Sequence, residues 1–118
     1  MPTLRAMNPT LTTTDGLSLR VREWPRADAR GSVLIVHGLG EHAARHAALA
    51  TRLNDWGWNA IGYDQRGHGA SEGARGALAQ PDGFLRDLAT AIDAVRATYP
   101  GPLVLLGHSM GGLIAARF

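Results

Sequence analysis

The chain has 118 residues, of which 45% are hydrophobic and 19% charged, and its formal net charge at pH 7 is +2. These fractions are typical of one globular domain and exclude a disordered chain or a fibrous repeat. No apolar run approaches the ~20 residues of a membrane-spanning helix. Because the chain contains no cysteine, a disulfide framework, a thiolate zinc site and a cysteine nucleophile are all excluded.

Charge and the first residues bear on partners and location. Twelve basic residues, all arginine, are nearly balanced by ten acidic ones, so the sequence shows no electrostatic surface for nucleic acid. The segment from Met1 to Thr14 has one arginine and lacks the apolar centre of about 7 to 15 residues that a signal peptide needs. We therefore expect a cytoplasmic protein that does not bind nucleic acid.

The first elements have the pattern of a β-hairpin. Two β-prone runs, Leu11 to Thr14 and Leu17 to Glu23, flank Asp15-Gly16, a dipeptide that favours the positive φ angles of a tight turn. Apolar and polar residues alternate along the second run, which is typical of a strand with one buried face. We place this strand in the edge region of a sheet.

The following elements alternate between strands and helices. Continuous apolar runs at Ser32 to Val36 and Leu103 to Leu106 are typical of strands buried on both faces, and Asn59 to Asp64 is a shorter strand candidate. Helical patterns cover Ala43 to Trp56 and Pro81 to Tyr99. This order requires crossover connections, so we predict an α/β fold with a mostly parallel sheet, an N-terminal antiparallel hairpin and flanking helices.

The pattern Gly107-x-Ser109-x-Gly111 stands between a predicted buried strand and the start of a helix. It is the pattern of a nucleophile elbow, a turn so tight that small residues must flank the serine, whose hydroxyl is lifted clear of the sheet. The alternative is a structural serine that caps the helix. We predict that Ser109 is a nucleophile and that the Met110 amide is one donor for the developing oxyanion.

A second glycine-rich segment, His37-Gly38-Leu39-Gly40, follows the central strand at the same carboxyl edge of the sheet. Glycines there let the backbone approach a ligand closely, so the Leu39 N–H is the second predicted oxyanion donor. The alternative is a plain glycine turn into a helix. Gly38 and His108, which stand next to these groups, are our candidates for substrate binding.

The sequence gives weaker support to three other kinds of site. His42 and His46 have the spacing of two zinc ligands on a helix, but the glutamate of H-E-x-x-H is missing between them. Gly38-x-Gly40 lacks the third glycine of a dinucleotide loop. Asp64 stands at a strand end like a catalytic acid, although a loop-anchoring role is the better interpretation. We predict no metal site and no cofactor.

Three segments together give a family resemblance. They are His37-Gly38-Leu39-Gly40-Glu41-His42, Asp64-Gln65-Arg66-Gly67-His68-Gly69-Ala70-Ser71-Glu72-Gly73 and Gly107-His108-Ser109-Met110-Gly111-Gly112. In this order, at the ends of successive strands, they resemble the monoacylglycerol lipase and lysophospholipase branch of the α/β-hydrolase superfamily, sometimes described as serine aminopeptidase-like. The resemblance runs from about Leu11 to the last residue.

The resemblance implies a serine hydrolase that acts on a small acyl ester. It assigns the nucleophile to Ser109 and the oxyanion hole to the Leu39 and Met110 amides. It also implies that Arg66, His68 and Gly69 shape the loop beside the pocket, and that any transient contact with a membrane surface would be made through a cap.

The expected triad is incomplete in these residues. The family order is Ser, then Asp or Glu, then His, yet the nine residues after Ser109 include no acid and no histidine. We therefore expect residues 1–118 to be the N-terminal portion of a single α/β-hydrolase domain whose cap, acid and base lie elsewhere. Alone, the chain would then be an inactive remnant or a binding module, and the apolar edge of the strand ending at Gly107 would favour self-association.

Overall fold

The fold is a mixed sheet with helices on both faces. The computed structural model describes residues 6–38, 42–73, 81–108, 111 and 115. In chain order the elements are β1 (Thr10–Thr12), β2 (Ser18–Trp24), β3 (Ser32–Val36), a 3₁₀ helix (Ala43–His46), α1 (Ala47–Asp55), β4 (Asn59–Tyr63), α2 (Pro81–Thr98) and β5 (Leu103–Gly107).

The described strands form one sheet in the order β1-β2-β4-β3-β5. β2 runs antiparallel to β1 and to β4, whereas β3 runs parallel to β4 and to β5. The predicted α/β fold with an N-terminal antiparallel hairpin is therefore confirmed. β2, the strand placed in the edge region, is second from one edge of the described sheet: its first three residues pair with β1 and its last four with β4.

The turn of the hairpin depends on Gly16. This residue has a φ of 89° and open space around it, and its N–H donates to the Thr13 carbonyl at 3.0 Å. The Thr13 hydroxyl donates to Asp15 at 2.6 Å and accepts the Leu17 N–H at 2.8 Å. The left-handed backbone is thus confined to the glycine, where it costs least, and Asp15 does not share it.

The single helix predicted over Ala43 to Trp56 is divided into the 3₁₀ helix and α1. The first turn is held by long-range contacts, because the Ala43 N–H donates to Asp64 Oδ1 at 2.7 Å. A Cβ on Gly62 would lie 2.9 Å from the Ala43 Cβ, so this turn sits directly on the glycine of β4. Helical periodicity does not report such a contact, which explains why the division was not predicted.

The core has two layers, one on each face of the sheet. Leu34 and Val36 of β3 pack towards α2, in a cluster with Leu88 and Val95. The alternate residues of the strand pack towards α1, in a cluster with Ala50 and Leu53. Burial on both faces accounts for the uninterrupted apolar sequence of β3, since each fully buried Val, Leu or Ile side chain contributes about 1.5–3 kcal/mol.

Two surface features complete the fold. Among the described residues β5 is hydrogen-bonded to β3 alone, and Val104 on this outer strand is 46% exposed. In the part of the chain that the structure describes, no helix combines the length and the apolar composition needed to cross a membrane.

Candidate active site

The candidate site lies at the carboxyl ends of the three parallel strands. His37 and Gly38 follow β3, the loop Asp64 to Gly73 follows β4, and His108 follows β5. The ends of β3 and β5 are in direct contact, because the His108 N–H donates to the Val36 carbonyl at 3.0 Å. The predicted nucleophile Ser109 and the predicted oxyanion donors Leu39 and Met110 lie outside the described residues.

Gly111 lies directly against the end of β3. The Gly111 N–H donates to the His108 carbonyl at 2.9 Å, a bond across three residues that closes a turn. A Cβ on Gly111 would lie 1.9 Å from the Val36 oxygen and 2.6 Å from the His37 oxygen. Only glycine fits at this approach, as the last position of the elbow pattern requires.

The two predicted substrate-binding residues lie at neighbouring strand ends but differ in exposure. Gly38 is buried, whereas His108 is exposed, with its ring centroid 5.7 Å from that of His46 in an edge-on arrangement. Binding of a substrate by Gly38 or His108 stays a prediction.

His37 is held as a neutral ring. Its Nε2 accepts the Gln65 backbone N–H at 2.9 Å, and its Nδ1 lies 2.7 Å from the Gly38 carbonyl oxygen. A backbone N–H can only donate, so Nε2 is unprotonated and Nδ1 carries the proton. With both nitrogens engaged in the core, His37 is not arranged as a general base.

Asp64 organises the loop after β4. The Ala43 and Ala70 N–H groups donate to its two carboxylate oxygens at 2.7 and 3.0 Å, which confirms the predicted anchoring role. Gly69 has a φ of 52°, and a Cβ there would lie 2.4 Å from Asp64 Oδ2. The Ser71 hydroxyl, a contact that the motif did not predict, donates to the Asp64 carbonyl and accepts the Arg20 N–H at 2.7 Å.

Arg66 joins three parts of the molecule. Its guanidinium donates to both carboxylate oxygens of Asp87 on α2, at 2.7 and 2.8 Å, and to both of Asp15 in the hairpin turn, at 2.9 Å each. These bonds hold the pKa of Asp15 below its ordinary value and, chiefly through Asp87, raise the pKa of Arg66. The resemblance implied that Arg66 shapes the loop, but nothing in the sequence predicted that Asp15 and Asp87 would be its partners.

Metal binding finds no support in the described ranges, where no three His, Asp or Glu side chains are grouped as metal ligands. His42 has an extended backbone before the 3₁₀ helix, with φ −152° and ψ 163°, whereas His46 ends that helix. The two imidazoles are therefore not one turn apart on a common α-helix, the arrangement on which the zinc alternative depended.

Comparison with known proteins agrees with this architecture. A family model described as serine aminopeptidase, S33, matches residues 27–118. The chain is 39% identical to human monoglyceride lipase over 109 residues, which cover 91% of this chain and 36% of the relative. It is 39% identical over 95 residues to the monoacylglycerol lipase of Mycolicibacterium smegmatis, covering 80% of this chain and 34% of the relative.

Solved structures give the same result. A soluble variant of monoglyceride lipase from Saccharomyces cerevisiae superposes with a TM-score of 0.77 at 27% identity, covering 99% of this chain and 39% of that one. The chain thus spans little more than a third of the length of its curated relatives, 36% and 34% for the two above. By its sequence and its fold, the chain belongs to the serine aminopeptidase S33 family of α/β-hydrolases.

Proposed function

We propose that the complete protein is a carboxylic ester hydrolase that cleaves small acyl esters, such as monoacylglycerols or lysophospholipids, through an acyl-enzyme at Ser109. The observation that supports this most is the close approach of Gly111 to the Val36 carbonyl. A nucleophile elbow needs small residues on either side of the serine, and at Gly111 the space admits only glycine. The lipase names of the relatives support the substrate class.

The proposed reaction has two steps. The Ser109 hydroxyl attacks the ester carbonyl while a histidine takes its proton, and the Leu39 and Met110 amides stabilise the oxyanion. The intermediate collapses, the histidine protonates the departing alcohol, and water then hydrolyses the acyl-enzyme by the same route. In the family order, the acid and the histidine would follow Ser109 in the sequence beyond these 118 residues.

The alternative is that the 118-residue chain alone is an inactive remnant or a binding module. Residues 110–118 contain no acid and no histidine, and a serine without its base loses most of its rate. This alternative concerns the isolated chain and leaves the proposal for the complete protein in place.

A fluorophosphonate probe and p-nitrophenyl butyrate test both proposals. In the longest natural chain that contains these residues, we expect probe labelling and ester hydrolysis, and Ser109→Ala should abolish labelling and lower kcat by up to about 10⁶-fold. Ser18→Ala, at a serine on β2, is the matched control and should keep both. Labelling that survives in Ser109→Ala would exclude this nucleophile, and rapid labelling of the isolated 118-residue chain would exclude the inactive alternative.

We also propose that the isolated chain self-associates through β5. This outer strand carries no charged residue, and Val104 is half exposed on it, which are the features of an edge that pairs with another chain. Val104→Lys should shift the chain towards monomer in analytical ultracentrifugation, whereas Thr51→Lys, on the exposed side of α1, should not. A wild-type chain that sediments as a monomer at all concentrations would refute the proposal.

A further inference from the structure

Side chains hold the carbonyl groups of the backbone just beyond β3. The pairing of β3 ends at Val36, and the next residue, His37, is fully buried. The His37 ring is protonated at Nδ1, because Nε2 accepts the Gln65 N–H. Nδ1 therefore donates to the Gly38 carbonyl, at 2.7 Å.

Gln65 holds the same backbone through a second hydrogen bond. Its side-chain Nε2 donates to the His37 carbonyl at 2.7 Å, and the residue is 1% exposed. Among the described residues its Oε1 is buried without a hydrogen-bond partner, an arrangement that costs free energy. Two successive carbonyls, those of His37 and Gly38, are thus each fixed by a side-chain donor.

We propose that His37 and Gln65 are positioning residues for the oxyanion hole. A trans peptide is planar, and its C=O and N–H point in opposite directions. A bond that holds the Gly38 carbonyl therefore also sets the direction of the next N–H, which is the Leu39 donor. Donors fixed before the reaction cost no reorganisation when the oxyanion forms. The inference rests on the proposed function and adds the residues that orient one of its two donors.

Two substitutions test the roles of the two ring nitrogens of His37 separately. The amide nitrogen of asparagine can take the place of Nδ1, so His37→Asn retains the donor to Gly38 and loses the acceptor for Gln65. The amide oxygen of glutamine can take the place of Nε2, so His37→Gln retains the acceptor and loses the donor. Both variants remove one hydrogen bond at a buried position, and their stabilities, measured by urea unfolding, serve as the structural control.

The kinetic test uses p-nitrophenyl butyrate and the longest natural chain. His37→Gln should lower kcat by on the order of 10²-fold with little change in KM, the pattern expected when one oxyanion donor is misplaced. His37→Asn should recover most of that loss, and Gln65→Met should lower kcat to an intermediate value. Equal kcat values for His37→Asn and His37→Gln at similar stability would overturn the inference, while the loss of activity in Ser109→Ala would still support the nucleophile.

A second measurement needs no activity. Long-range ¹H–¹⁵N NMR on the 118-residue chain should find the His37 ring protonated at Nδ1, with a hydrogen-bonded proton on that nitrogen. A ring protonated at Nε2 would overturn the inference even if no chain hydrolysed an ester. An inactive wild-type protein with the Nδ1–H ring would instead count against the proposed function and support the backbone arrangement.

Discussion

Gly111→Ala should lower the free energy of unfolding by about 3 kcal/mol or more, the cost of severe overpacking. The new methyl group would lie 1.9 Å from the Val36 oxygen and 2.5 Å from its carbonyl carbon, whereas real Cβ contacts essentially never fall under 3.0 Å. Both neighbouring atoms belong to the backbone of the central strand, so no side-chain rotation can relieve the clash. Urea unfolding, followed by the fluorescence of the three tryptophans, measures the loss.

Gly16→Ala is the matched control for this substitution. Gly16 has a positive φ of 89°, and a methyl group added there would meet no atom within 4 Å. The unfolding free energy that Gly16→Ala loses therefore comes from backbone strain alone and should be about 1 kcal/mol. Gly111 adopts no such φ, and its cost is purely steric. If both alanine variants lost the same small amount of unfolding free energy, the close approach of Gly111 to β3 would be refuted.

Arg66→Met should lower the free energy of unfolding by about 3–5 kcal/mol at pH 7, the usual cost of leaving a buried charge without its partner. The Asp87 carboxylate is only 2% exposed and receives two bonds from the guanidinium, at 2.7 and 2.8 Å. The double variant Arg66→Met, Asp87→Leu should recover most of the loss, because it removes the stranded charge together with the arginine.

Asp15→Asn tests the exposed side of the same ion pair. The Asp15 side chain is 46% exposed, and exposed pairs are screened by solvent, so the midpoint of urea unfolding should hardly move. The same denaturation experiment checks all three variants. If the double variant were no more stable than Arg66→Met, the buried Asp87 carboxylate would not need Arg66 to stabilise its charge.

Much of the fold could be predicted from local pattern, and the exceptions have physical causes. The apolar run of β3 and the helical stripe of α2 each report burial, so both elements and their neighbours in the sheet were recognised. The alternation of apolar and polar residues in β2 indicates which face of the strand is exposed to solvent, but it does not indicate which strands pair with it. Its partner on the inner side is β4, which follows much later in the sequence and pairs with Val21 to Trp24.

The site could be predicted where a motif fixes it. The anchoring role of Asp64 follows from the ability of a carboxylate to accept several N–H donors, and the structure confirms it. The elbow pattern also calls for a small residue at position 111, where the structure leaves no space for a Cβ. The partners of Arg66 could not be predicted, because they lie 51 and 21 residues away in the sequence. The two side-chain bonds between His37 and Gln65 span 28 residues and have no period to reveal them.

The placement of β4 between β2 and β3 has a consequence for how the protein emerges from the ribosome. Until Asn59–Tyr63 has been synthesised, β2 and β3 have no common neighbour, because both pair with β4 and not with each other. The β1–β2 hairpin and β3 therefore cannot join into one sheet until β4 has been synthesised and has paired with both β2 and β3. Because such non-local pairing is slow, we expect the nascent chain to need protection until this pairing is complete.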